Sequence, residues 1–293
     1  MRTSTPSTVS VLPAIAFLLV AMLSIHSGAS LAKTLFPSVG ATGVTALRLG
    51  FGALLLLIVF RPWNAPLGRL PWRMLLGYGL SMGLMNVLFY LALERLPLGI
   101  AVALEFTGPL SLALLGSRRP LDFAWIALAV IGILLLLPWS AQQAPIDLLG
   151  VAYALGAALC WALYIVFGQK TGAEHGTQTV ALGAVIAALA VVPWSVAVAG
   201  NALLSATLLP LGLAVAVLSM ALPFTLEMMA MTRLPTSTFG LLMSLEPAIG
   251  ALCGMLFLHE HLSTLQWIAI ASIMAATAGT AYGARLKALP VAD

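Results

Sequence analysis

The sequence predicts an all-α integral membrane protein of ten transmembrane helices, arranged as two inverted five-helix repeats. Three observations predict it. Only 8% of the 293 residues are charged while 61% are hydrophobic, too little polar surface to wrap a soluble core of this size. From Val11 to Tyr282 the chain runs as apolar stretches of about 18 to 24 residues, the length a helix needs to cross a hydrocarbon layer of roughly 30 Å. Finally, Arg95-Leu96-Pro97 returns as Arg233-Leu234-Pro235 at the same place in the second half, and an odd number of spans per half turns the second copy upside down.

In chain order the spans fall near 12–33, 40–60, 72–93, 97–116, 121–139, 147–168, 177–199, 207–231, 236–258 and 264–284. The first repeat covers 12–139 and the second 147–284. Span one has Arg2 before it and Ser27 to Ser30 after its apolar run, a pattern shared with cleavable signal peptides. Its counterpart around Trp161 to Lys170 is internal, so the first helix is expected to be retained. The third carries Gly79 and Gly83, and the ninth Gly250 and Gly254, small faces on which helices within the chain can approach closely. Spans four and nine each open after Leu-Pro and hold a second proline twelve residues on, Pro109 and Pro247, which a shift of 138 superposes. In spans five and ten a shift of 142 pairs Trp125 to Ala129 with Trp267 to Ala271, and the polar turn His259-Glu260-His261 absorbs the difference. The charged turn Lys170 to His175 lies close to the junction of the halves. Pro223 and Glu227 sit one turn apart in span eight, and Ser263 with Gln266 forms a capping box that starts span ten.

Positive charge sets the orientation. With the N-terminus inside, Arg2, Arg61, Arg69, Arg73, Arg118, Arg119, Lys170, Arg233, Arg285 and Lys287 face the cytoplasm, and Lys33 and Arg95 face outward. Both termini are thus expected in the cytoplasm. The net charge of +4 follows from this bias and implies no nucleic-acid partner. Cys160 and Cys253 read as small apolar side chains within spans. His259 and His261 lack the further ligands of a metal site, and no cofactor is expected. There is no phosphate loop with its lysine, no His-Glu-x-x-His pair and no Gly-x-Ser-x-Gly elbow, which argues against an enzyme.

Inverted repeats are the architecture of secondary carriers, whose substrate site lies near the midplane between the halves. Charges inside the bilayer are the sharpest pointers to it, because each costs about 2.5–3.5 kcal/mol at a helix centre on insertion scales. Arg48, Glu105 and Glu246 fall at one level near mid-membrane, with Glu227 closer to the cytoplasmic end of its span. A guanidinium suits a carboxylate and an acid suits an ammonium, so Arg48 with Glu105 or Glu246 would complement a zwitterionic amino acid. The same residues could instead form a buried ion pair that fixes helix register. Pro109, Pro223 and Pro247 each free a carbonyl one turn back beside an acidic residue, which favours a polar cavity there. His26, Ser27 and Ser30, Asn86 and Tyr90, and Trp161 and Tyr164 are candidates to line it. Glu105, Glu227 or Glu246 would couple transport to protons.

The chain resembles the EamA type of the drug/metabolite transporter superfamily, within it the bacterial inner-membrane exporters of threonine and homoserine. The likeness rests on GASLAK at 28–33, GVTALRL at 43–49, PLGIAVALEFTGPL at 97–110, SRRP at 117–120, GAEHG at 172–176, and TRLPT at 232–236 followed by Glu246-Pro247. It implies a central cavity and efflux of small hydroxylated amino acids. Other metabolites, amino-acid analogues or drugs remain the alternative cargo. Sugar-phosphate carriers would want paired cations, yet spans nine and ten hold no Lys or Arg before Arg285. Neither the sequence nor the resemblance sets an oligomeric state.

Overall fold

The computed structural model describes residues 11–64, 72–115, 120–136, 146–175, 177–231, 233–234 and 236–288. Arg2, Arg69, Arg118, Arg119 and Pro235, used above for orientation and for the repeat, lie outside them. The described residues are all helical or connecting, with no strand among them. The helices are α1 (Val11–Thr34), α2 (Phe36–Phe60), α3 (Trp72–Leu93), α4 (Leu98–Glu105), α5 (Thr107–Leu115), α6 (Pro120–Leu136), α7 (Leu148–His175), α8 (Thr177–Ala199), α9 (Leu208–Ala216), α10 (Leu222–Met231), α11 (Thr236–Met243), α12 (Glu246–Leu258) and α13 (Thr264–Ala288). Six stretches are long and apolar enough to span a bilayer, and the shorter apolar helices include Glu246–Leu258 and Thr264–Gly279. Leu54, Ile58, Leu80, Leu84, Leu159, Leu189 and Leu256 stand exposed on the outer faces, where hydrocarbon rather than water satisfies them.

The elements depart from uniform rods where the sequence supplies a reason. α2 starts at Phe36, four residues before the expected boundary, and bends at Gly40, whose φ of 68° favours a residue without Cβ. The fourth expected span is broken at Phe106 into α4 and α5, three residues before Pro109. The ninth is broken in the same way at Ser244 and Leu245, just before Pro247. In each case proline withdraws the donor that the preceding turn needs. The eighth changes pitch through a π-helical turn, Val217–Ala221, ahead of Pro223. α7 runs on to His175, beyond the expected end near 168.

Close approach holds the bundle together. A Cβ built at Gly79 would lie 2.9 Å from the Gly183 carbonyl oxygen, and one at Gly99 would lie 2.6 Å from Ala251 Cα. α3 therefore meets α8, and α4 meets α12, almost backbone to backbone. The capping box forms: the Ser263 N–H donates to Gln266 Oε1 at 2.8 Å, and the Gln266 N–H to Ser263 Oγ at 3.3 Å.

One end of the bundle is pinned by polar contacts. Lys33 Nζ donates to Glu260 Oε1 and to the Leu96 carbonyl, both at 2.7 Å, and Glu260 Oε2 accepts from the Leu98 N–H at 2.7 Å. That joins the end of α1, the start of α4 and the turn before α13. The same end gathers one large apolar cluster with Phe36, Tyr90, Leu96, Leu98, Leu104 and Ala251. Toward the opposite end the buried core divides. Leu49, Leu56, Leu75, Tyr78 and Ala184 form one cluster across α2, α3 and α8, and Leu18, Met22, Ala230 and Leu234 form another across α1, α10 and the turn after it.

Beside the pinned end Arg95 donates to Asp147 at 2.6 Å, and Asp147 also accepts from the Leu149 N–H at 2.8 Å, capping α7. Arg95 first, and then these backbone donors, hold the Asp147 carboxyl below its ordinary value of 3.8. A group depressed in the folded state stabilises above its unfolded pKa, and that contribution disappears as pH falls through the folded value. Thermal unfolding of the purified protein should therefore lose an increment below pH ~4 that Asp147→Asn lacks. An identical pH profile for the two proteins would refute this.

Candidate functional site

Where α1, α2, α3, α4, α7, α10 and α12 converge there is a cavity of about 110 Å³. At ~10–15 Å³ per water-sized site it holds roughly ten small groups, the size of a small amino acid. His26, Arg48, Asn86, Tyr90, Glu105, Trp161, Tyr164, Glu227 and Glu246 all line it. Glu227 thus shares the chamber with the three residues expected at one depth. Ser27 is not among the residues that line it. Ser30, one turn beyond His26 on α1, gives its hydroxyl to the His26 carbonyl at 2.9 Å.

The cavity has a basic pole and an acidic one. Arg48 is buried in α2, and its guanidinium is held on three sides. Nε donates to Ser219 Oγ at 2.9 Å, Nη2 to the Ser219 carbonyl at 2.8 Å, and Nη1 to Asn86 Oδ1. Asn86 is oriented by giving Nδ2 to the Met82 carbonyl at 2.8 Å. The guanidinium also lies over the Tyr90 ring, 5.3 Å from its centroid. No carboxylate forms an ion pair with Arg48 among the described residues; uncharged acceptors hold it instead.

At the acidic pole Glu246 is the first residue of α12, where the positive end of the helix dipole favours a carboxylate. Its Oε1 lies 3.7 Å from His26 Nε2, beyond hydrogen-bond length. Among the described residues, Glu246 Oε2 and both His26 nitrogens are buried without a hydrogen-bond partner. A buried polar atom without a partner costs about 1–3 kcal/mol. Glu105 ends α4 at its break, and Glu227 projects from α10 beside Phe224. Aromatic side chains close the remaining walls. Trp161 meets Phe106 edge-on at 5.4 Å, while Tyr164 stacks on Tyr78 at 4.6 Å with their hydroxyls 2.9 Å apart.

Sequence reasoning missed Ser219. A signal was there: Pro223 has no N–H for the carbonyl four residues back, which belongs to Ser219, and a buried arginine elsewhere needs acceptors. Met85, Phe89, Phe224 and Met243 also line the cavity, and as ordinary apolar residues in apolar spans they carried no such mark.

Comparison with known proteins agrees with this architecture. The model of the EamA-like transporter family matches residues 148–282. The threonine/homoserine exporter RhtA of Salmonella typhimurium (strain SL1344) is 58% identical over 263 residues, covering 90% of this chain and 89% of that protein. The protein of the same name from Escherichia coli (strain K12) is 57% identical over 266 residues, covering 91% and 90%. A probable amino-acid metabolite efflux pump of the same strain is 27% identical over 239 residues, covering 75% and 80%. A crystal structure with 20% sequence identity superposes with a TM-score of 0.64 over 94% of this chain and 99% of its own, and shows the same fold.

Proposed function

The chain belongs to the EamA-like transporter family, and on that premise we propose that it exports threonine and homoserine across the bacterial inner membrane by proton-coupled alternating access. The observation that carries a zwitterionic cargo is a buried cavity whose lining holds Arg48 together with Glu105, Glu227 and Glu246. The ammonium of an α-amino acid lies within a few ångströms of its carboxylate. With the carboxylate on Arg48, Glu105, which lines the same cavity at the break between α4 and α5, receives the ammonium. Glu246, facing His26, is then left for the proton. The hydroxylated side chain comes from the names of the relatives.

Ten spans in two inverted repeats, 12–139 and 147–284, make these contacts intelligible. α4 with α5, and α11 with α12, each count as one broken span, and α9 joins α10 through its π turn. The packing of α3 on α7 then has its mirror in α10 on α1, and that of α5 on α7 in α12 on α1. Positive-inside loops put both termini in the cytoplasm and the Lys33–Glu260 end outside. The contacts of Lys33 and Glu260 then close the outer end.

The Lys33–Glu260 pair joins the two repeats at the closed end. Releasing the outer pair, at about 1 kcal/mol, should shift the balance outward roughly fivefold. Expected in a Cys160→Ala background: Glu260→Gln raises the rate at which a membrane-impermeant thiol reagent, added outside, modifies Cys253. An unchanged rate would remove the pair from gating.

Counterflow in proteoliposomes tests the function itself. Labelled threonine should exchange against unlabelled threonine and homoserine, and an imposed pH gradient should accelerate it. Exchange of a different solute would retain the carrier and discard the cargo, and no exchange of any solute would refute transport.

A further inference from the structure

Arg48 is held on one edge by a single residue, Ser219, through two different oxygens. Nε points at the hydroxyl and Nη2 at the main-chain carbonyl of the same residue, 2.9 and 2.8 Å away. The hydroxyl in turn donates to the Val215 carbonyl at 2.6 Å, so its proton is committed and its lone pairs face the arginine. The backbone makes this possible. Ser219 lies inside the π-helical turn Val217–Ala221, and Pro223 lacks the N–H that would otherwise meet the Ser219 carbonyl one turn back. Gly28 completes the fit, because a Cβ there would stand 2.9 Å from Ser219 Cβ, so α1 presses directly on the turn.

A guanidinium has one N–H on Nε and two on each terminal nitrogen. Ser219 takes the Nε hydrogen and one of Nη2, and Asn86 takes one of Nη1. What remains is one N–H on each terminal nitrogen, and both can donate to a carboxylate. We infer that Ser219 is a positioning residue that occupies the Nε edge of Arg48 and turns its terminal nitrogens toward the cargo, making this pole selective for an α-carboxylate. The inference rests on the proposed amino-acid transport and deepens it.

The test is competition in the threonine counterflow assay by two ligands, unlabelled threonine and 1-amino-2-propanol, which keeps the ammonium and hydroxyl but has no carboxylate. Wild-type protein should prefer threonine strongly. In Ser219→Ala the Nε hydrogen loses its acceptor while the carbonyl still holds Nη2, so the half-saturating threonine concentration should rise about tenfold, one charge-assisted hydrogen bond's effect. The maximal exchange rate and inhibition by 1-amino-2-propanol should stay near wild type, so the ratio between the two ligands falls by the same factor. Ser219→Cys fills the same space against Gly28 with a sulfur that accepts poorly, and it should show the same selective loss even if the alanine variant does not fold. A merely structural serine would weaken both ligands equally. That result, or no change in the ratio for either variant, overturns the inference, whereas absence of threonine exchange by wild-type protein overturns the proposed function instead.

Discussion

Arg48→Ala should lower threonine exchange by at least a hundredfold and leave a folded protein. Two charge-assisted hydrogen bonds to a carboxylate, at about 1.5–3 kcal/mol each, are worth that factor or more in a cavity shielded from water. The folding side is close to balanced. Alanine removes a charge whose insertion costs about 2.5–3.5 kcal/mol. It also leaves Asn86 Oδ1 and the Ser219 carbonyl without their donor, at about 1–3 kcal/mol for each buried orphan. Size-exclusion behaviour and thermal unfolding in detergent should therefore stay close to wild type while counterflow collapses. Arg48→Lys keeps the charge as a point donor and cannot reach Ser219, Asn86 and a carboxylate together, so it should recover only part of the activity. Wild-type exchange by Arg48→Ala would mean that the cargo never touches the arginine, and that Ser219 and Asn86 serve helix register alone.

That contrast shows where sequence was enough and where it was not. A charge within an apolar run is conspicuous, so Arg48, Glu105, Glu227 and Glu246 could be read directly, as could the prolines that break the fourth and ninth spans. Lipid simplifies the problem: an ionisable group at that depth has to face protein, and the helices that carry such groups must converge. Which group faces which is another matter. Arg48 could be read as the partner of an acid, but its close contacts are a serine, an asparagine and a tyrosine ring. Of these, Ser219 reaches Arg48 from the π turn ahead of α10, and a local change of pitch leaves only the faint trace of a proline four residues on. Ser27 failed for a similar reason. It follows His26 directly, yet on a helix neighbouring side chains point about 100° apart, and Ser27 is not among the residues that line the cavity.

Glu246→Gln should separate proton coupling from cargo binding. Glutamine keeps the shape of the side chain at the first position of α12 and keeps an acceptor toward His26, but it cannot exchange a proton. Threonine exchange at equal pH on both sides should stay within about threefold of wild type, while the acceleration by a pH gradient vanishes and net export falls to the rate without a gradient. Glu105→Gln should do the reverse, because the ammonium loses its counter-charge next to Arg48 and exchange itself drops by roughly ten- to a hundredfold. The division of labour follows from the size of the cargo: one small zwitterion does not occupy all three acids that line the chamber, so the carboxylate beside its ammonium and the one that carries the proton are different residues. A Glu246→Gln protein that still responds fully to the gradient would move the proton to Glu227. A Glu246→Gln protein that loses exchange at equal pH would put the ammonium at Glu246, with His26 beside it.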